Sequence, residues 1–243
     1  MTGNLGLYKK LPLENTYYHT RWKTSEEGKV KNGESISIID ASSEEVVETL
    51  PVGRRPTSID ISSNYIASGN FSDNTVHIFE RKNLNTCLCV AKINPFPNIE
   101  FDLKLKDERS GANLKVPLSL RSIMVEGISI LEKRKWILVA GFEGSVLTVI
   151  DLTLGNIIAI VPVQAGPMDV VVNLDETLAF ATCYQAGEVS VVNLDTCTEI
   201  YRLGVGREPM DPGIFNDMLI VPHGKGATIH NIKNFKDNLK FQK

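Results

Sequence analysis

Arginine at repeated positions is the first chemistry this sequence offers. Val52-Gly53-Arg54-Arg55-Pro56 and Val205-Gly206-Arg207-Glu208-Pro209 are two versions of one pentapeptide, and Val163-Gln164-Ala165-Gly166-Pro167 holds the same place without charge. A guanidinium presents a planar fork of donors that matches a carboxylate or a phosphate. Arg21, Arg55, Arg121 and Arg207 therefore form a candidate anion-binding set, with Lys225 as a further positive charge and Phe142 and Gln185 as neighbours able to stack and hydrogen-bond. The competing reading is that each arginine bonds a neighbouring carbonyl or acid and only locks the fold, since buried polar groups need partners.

Proton-transfer chemistry has four candidates: His19, Tyr184, Glu208 and His223. No catalytic motif joins them. A Gly-x-Ser-x-Gly elbow is absent, and Gly224-Lys225-Gly226 lacks the rest of a phosphate loop. The 4 histidines show no His-x-x-x-His spacing, so no metal site and no cofactor is expected. Cys87 and Cys89 are two apart on an expected strand and so point to opposite faces. Cys183 and Cys197 read as small apolar residues of a reducing compartment, with a Cys183 nucleophile as the alternative.

The net charge of -3 provides no general field for nucleic acid or an acidic membrane, and neither partner is expected. No apolar run approaches the roughly 20 residues a bilayer requires. Met1-Thr2-Gly3-Asn4-Leu5-Gly6 lacks the features of a secretory signal, so the expected location is cytoplasmic.

What must position these side chains is a repeat. Gly166 to Arg207 holds four short β-rich runs, near Met168 to Asn173, Thr177 to Cys183, Glu188 to Val192 and Glu199 to Val205, parted by turn residues. Pro167 to Pro209 spans about one period of 40 to 45 residues, the signature of a four-stranded β-propeller blade. The third strand recurs as Ser35 to Asp40, Thr75 to Glu80, Val146 to Asp151 and Val189 to Asn193. Each copy ends on an acid or amide; an Asp or Asn there can bond the backbone of the following turn.

Val-Gly-x-x-Pro, an alternating strand, then Val-Ser-Val-Val-Asn and an outer strand closing on Val-Gly resembles the YVTN or YncE-like β-propeller repeat, carried here by Ser35 to Ser72 and Ser145 to Gly206. The resemblance implies a WD40-like ring of blades. It implies little about activity, because that superfamily mixes binding proteins, scaffolds and enzymes.

The expected architecture is one all-β domain over residues 1–243, a β-propeller of about five four-stranded antiparallel blades closed into a ring. Met1 to Asn15 is either the innermost strand of blade one or the strand that closes the ring. Thr24 to Gly33 reads as a charged loop, and the last strand is expected near Leu239 to Gln242. Pro95 to Leu118 breaks the period and reads as an insertion in a blade link, either a lid or a surface excursion.

In such a meander the blade links and the loops between second and third strands open on one face. That face collects Arg54, Arg55, Arg121, Arg207 and Glu208 from links, and His19, Arg21, Asn70, Phe71, Phe142, Glu143, Tyr184, Gln185, His223 and Lys225 from loops. The expected function is binding of an anionic small molecule, or of a peptide or protein partner, at this arginine-rich mouth. The alternative is an enzyme of lactonase, lyase or cyclase type using the same mouth; the residues leave catalysis open.

Overall fold

In the computed structural model the backbone is described for residues 8–10, 16–24, 30–83, 86–93, 105–106, 113–114, 124–233 and 235, and side chains for 34–81, 124–233 and 235. Strands dominate. The first sheet holds β1 (Tyr8–Lys10), β2 (Thr16–Thr24), β3 (Val30–Asp40) and β4 (Val46–Pro51). The second holds β5 (Pro56–Ile61), β6 (Tyr65–Asn70), β7 (Thr75–Asn83) and β8 (Thr86–Ile93). A short hairpin, β9 (Leu105–Lys106) and β10 (Asn113–Leu114), interrupts the series within the expected insertion.

The third sheet holds β11 (Val125–Leu131), β12 (Trp136–Gly141), β13 (Val146–Asp151) and β14 (Ile157–Pro162). The fourth holds β15 (Pro167–Val172), β16 (Leu178–Cys183), β17 (Glu188–Asn193) and β18 (Thr198–Gly204). A fifth, three-stranded sheet holds β19 (Gly213–Phe215), β20 (Met218–His223) and β21 (Gly226–Asn231). Strand order equals chain order in these five sheets, so each is an antiparallel meander. Pairing of β1 with β2 makes β1 the first strand of the first sheet.

Turn chemistry fixes the third-to-fourth-strand corners. Asp40 Oδ1 accepts the backbone N–H groups of Ser42 and Ser43, both at 2.9 Å, which holds its carboxyl below the usual range. Asp151 accepts from Thr153 and Leu154 at 2.7 and 2.8 Å, and Asn193 from Asp195 at 2.8 Å. Each turn then passes through a left-handed residue, Glu44, Gly155 or Cys197. This is the side-chain-to-backbone capping expected from the repeated acid or amide.

The core lies between successive sheets. Ile36, Ile38 and Leu50 of the first pack on Ile66 and Phe79 of the second. Ala67, Val76 and Ile78 meet Ile137 and Val139 of the third. Leu138, Leu147 and Val149 meet Ala179, Ala181 and Val192 of the fourth. Phe180, Val189 and Val191 meet Leu219 and Val221 of the fifth. Along the inner edge β11 packs against β5 and β15, and β15 against β19. Strand alternation makes this possible: one face of each sheet serves the sheet before it, the other the sheet after it.

Two expectations need correction. Val30 to Gly33 belongs to β3 rather than to a loop, because the β2–β3 hairpin continues to Thr24 opposite Val30. Closure of the fifth sheet onto the first is not what the described residues show, since Phe215 and Ile229 of the fifth sheet are 69% and 58% exposed. The fifth sheet has three strands in the described residues; the expected strand near Leu239 to Gln242 lies outside them. Among the described residues no helix is long and apolar enough to cross a membrane.

Candidate functional site

One backbone contact recurs from sheet to sheet and defines the end at which the site lies. The N–H of Phe71 donates to Arg55 O at 2.9 Å, that of Phe142 to Met124 O at 3.1 Å, that of Tyr184 to Gly166 O at 2.7 Å, and that of Gly224 to Arg207 O at 2.9 Å. Each bond ties a second-to-third-strand loop to the link that enters the same sheet. Links and loops therefore share one end of the stack. The link reaches this geometry through a left-handed residue: Arg55, Met124, Gly166 and Glu208 have φ of 54, 59, 71 and 59°. Gly166 adopts it without steric cost; the other three accept the strain of a side chain there.

Just inside that turn the first strands are irregular in the same place. The register shifts between Pro56 and Ser58, between Val125 and Ile128, and between Pro167 and Asp169. Such bulges add a residue to one strand and re-aim its side chain. Thr57, Glu126 and Met168 sit at these bulges, and all three line a cavity of about 1060 Å³ along the first strands. Its waist is apolar, with Ile59, Ile128 and Val170 on the wall. Gly127 makes the narrow spacing possible: a Cβ there would lie 2.7 Å from Met168 O and closer still to Asp169.

Charge lines both ends of this cavity: Arg55, Glu126, Asp169 and Asp211 are on the wall at the link end, and Glu132, Lys133 and Glu176 at the other. The Arg55 guanidinium lies 4.1 Å over the centre of the Phe71 ring, so the cation rests on an aromatic face supplied by the neighbouring loop. Burial raises the Glu126 carboxyl to about 7; Arg55 opposes the rise and Asp169 adds to it. Burial thus lets Glu126 keep its proton well above the pH at which a solvated carboxyl loses it.

The opposite end is a clamp. Glu176 accepts the backbone N–H groups of Lys133 and Arg134 at 3.1 and 2.9 Å, and Arg134 Nε donates to Glu176 O at 2.6 Å. Arg134 also pairs with Asp195 and stacks on Trp136 at 4.9 Å. One sheet earlier Glu132 accepts from Ser63 N at 3.0 Å and from Asn64 Nδ2. In the third and fourth sheets the first-to-second-strand turn thus grips the turn of the preceding sheet.

Of the residues singled out in the sequence, Arg55 is on the cavity wall. Phe142 and Tyr184 lie at the same end in adjacent sheets, their rings 6.4 Å apart. Gln185 is exposed and covers Gly166, whose Cβ would meet Gln185 Cγ at 2.7 Å. Arg207, Glu208 and Lys225 are exposed on the link and loop of the fifth sheet.

His223 serves that sheet's own loop. Its Nδ1 accepts the N–H of Lys225 at 3.3 Å, Nε2 lies 3.1 Å from Thr228 Oγ1, and Thr228 donates to Val205 O at 2.9 Å. His19 and Arg21 occupy β2 opposite Ser37 and Ser35. Arg121 lies outside the described residues. Cys183 is fully buried, its thiol pushed up to about 11 by burial, and lies 3.5 Å from Ser190 Oγ. It therefore does not face the channel as a nucleophile.

The residues that sequence reasoning missed are Glu126 and Asp169. A signal existed: in Val125 to Leu131 and Pro167 to Val172 each is the carboxylate that interrupts an otherwise apolar strand start. Both lie within strand starts, whereas binding and catalytic residues are found most often on links and loops.

Meandering antiparallel sheets ranged side by side by their first strands, with a cavity along those strands, define the propeller-like class of all-β protein. No family model matches the sequence, and no curated protein matches it. By structure the chain is similar to Kuenenia stuttgartiensis hydrazine synthase, with a TM-score of 0.64 and 15% identity over 91% of this chain and 61% of that one. It is similar to the computationally designed Ika8 protein, with a TM-score of 0.62 and 11% identity over 93% of this chain and 57% of that one. It is also similar to a putative 6-phosphogluconolactonase from Bacteroides uniformis, with a TM-score of 0.62 and 13% identity over 88% of this chain and 64% of that one. The chain thus spans about three fifths of the length of the structures it matches. At these identities the likeness speaks for the fold.

Proposed function

We propose that the chain is a propeller-like binding module that takes an anionic small molecule, or the acidic end of a peptide, into the channel at Arg55. The observation that carries this reading is the seating of Arg55 on the cavity wall, against the Phe71 ring and beside Glu126. Burial raises the neighbouring Glu126 carboxyl to about 7, so below that pH this group adds no negative charge against an incoming anion. The Val-Gly-x-x-Pro repeats support grouping the chain with YVTN-like propellers, within which binding roles are common.

The test is a thermal-shift series at pH 6.5 with inorganic phosphate, sugar phosphates, dicarboxylates and an acidic peptide, on wild type, Arg55→Ala and Arg207→Ala. A true ligand raises the melting temperature of wild type and of Arg207→Ala. Arg55→Ala is expected to bind it about 30-fold more weakly, the loss of one charge-assisted contact. Equal responses from all three proteins would remove the basis of the proposal.

A specific observation favours a second reading. Glu126 and Asp169 stand on adjacent first strands, and one of the two holds its proton near neutrality, an arrangement suited to acid–base chemistry. The likeness to a putative 6-phosphogluconolactonase makes lactone hydrolysis the assay of choice. Turnover that disappears in Glu126→Gln would establish an enzyme; no turnover above the spontaneous rate would leave binding.

A further inference from the structure

We infer that the free face of the fifth sheet is an interface for a second copy of this chain, with the two fifth sheets stacked face to face about a two-fold axis. The argument starts from one cross-strand pair that every sheet repeats at its centre. In the second sheet Ala67 faces Ile78, in the third Leu138 faces Val149, and in the fourth Phe180 faces Val191. All six are 0% exposed, each pair covered by the sheet that follows. The matching pair in the fifth sheet is Ile220 with Ile229, and these are 36% and 58% exposed.

The surroundings of that pair have the same character. Phe215 is paired with Met218 and is 69% exposed; Gly213 is opposite Ile220, and Ala227 opposite Pro222. The face is thus apolar across its three strands, with the Asn231 amide at one edge. It is built like the faces that this chain covers with another sheet of its own repeat. Isolated exposed apolar residues are ordinary, but a contiguous sheet face is not.

A second copy is the occupant the observations favour. It supplies sheets of the repeat that covers the equivalent pair three times over in this chain. The face carries no formal charge, so it can meet its own image without like-charge repulsion, and Gly213 and Ala227 leave hollows beside Phe215 and Ile229 for a self-complementary contact. A head-to-tail arrangement is disfavoured. On the first sheet's opposite face Ser37 is already buried at 1% exposure, so that part of the face is closed to a second copy.

Sedimentation velocity over a range of concentrations tests this on the full chain. Wild type is expected to associate reversibly to a dimer. Ile229→Glu and, separately, Phe215→Ser are expected to weaken association at least about tenfold, because a charge or a hollow would then sit at the centre of the contact. Leu154→Glu, at an exposed turn between β13 and β14, is expected to dimerise as wild type does. Circular dichroism and melting of each variant establish that it folds. A wild type that stays monomeric throughout, or variants at 229 and 215 that dimerise unchanged, would overturn the inference; a monomer would point to a different polypeptide as the cover.

Discussion

Arg55 and Phe71 form a cation–π pair, 4.1 Å from guanidinium carbon to ring centre, and the backbone of Phe71 donates to the carbonyl of that same Arg55. The link and the loop of the second sheet are thus joined twice, once through main chain and once through side chains. Phe71→Leu keeps the main-chain bond and removes the aromatic face. Affinity for an anion at Arg55 should fall by about three- to fivefold, the worth of a partly exposed cation–π contact, while the melting temperature changes little. Isothermal titration with the best anion from the thermal-shift series checks it.

The pH dependence follows from Glu126, whose carboxyl is raised from 4.5 to about 7. The folded protein binds this proton more tightly than the unfolded chain does. Stability from this group is therefore full below about pH 4.5, falls as pH rises, and is lost above about 7. Glu126→Gln should be on the order of 1 to 2 kcal/mol more stable than wild type at pH 8, after allowance for solvent screening, and show no such advantage at pH 4. Urea unfolding at the two pH values measures this. Anion affinity at Arg55 should decline across the same interval in wild type and stay level in the glutamine variant.

Glu176 satisfies two backbone donors of the preceding sheet through its two carboxylate oxygens. Glu176→Ala should destabilise the fold by about 1 to 2 kcal/mol, because the Lys133 and Arg134 N–H groups lose their acceptor, the second of them in part-buried surroundings. Hydrogen exchange at those two amides should quicken in the variant, whereas amides in the third-to-fourth-strand turns should not change.

Gly127 is expected to be intolerant of any side chain. A methyl group would meet Met168 O at 2.7 Å and press on Asp169 more closely, and main chain cannot yield as a flexible side chain can. Gly127→Ala should cost about 2 to 3 kcal/mol by overpacking, and it should weaken ligand binding as well by pushing Asp169 off the channel wall. A variant that unfolds at the wild-type urea midpoint would contradict the close approach.

Alkylation separates the described cysteines. Cys183 has no exposed surface and a thiol pushed up to about 11, so it should resist iodoacetamide at pH 8 in the folded protein and react only on unfolding. Cys197 is partly exposed in a turn, and its milder rise also comes from burial. It should react first of the two, as peptide mapping by mass spectrometry would show.

The strand series was legible because its signals are local. Asp40, Asp151 and Asn193 close turns by bonding backbone two and three residues away, and Gly166 supplies the left-handed conformation at its link. The end of the stack that gathers links and loops was legible too, since a meander of four strands leaves no other arrangement. Ring closure was not. It depends on whether the last sheet meets the first, a contact between the two extremes of the chain to which no local pattern corresponds.

By itself the sequence determined the repeat: four-strand meanders punctuated by turn residues whose side chains act within a few positions of their own backbone. Tertiary structure alone decided the site. Glu126 becomes a group that titrates near neutrality only because β11 is packed between β5 and β15, which strips its water and brings Arg55 and Asp169 beside it. Burial and through-space charge act between residues far apart along the chain, and so they are set by how the sheets stack, not by the order of the letters.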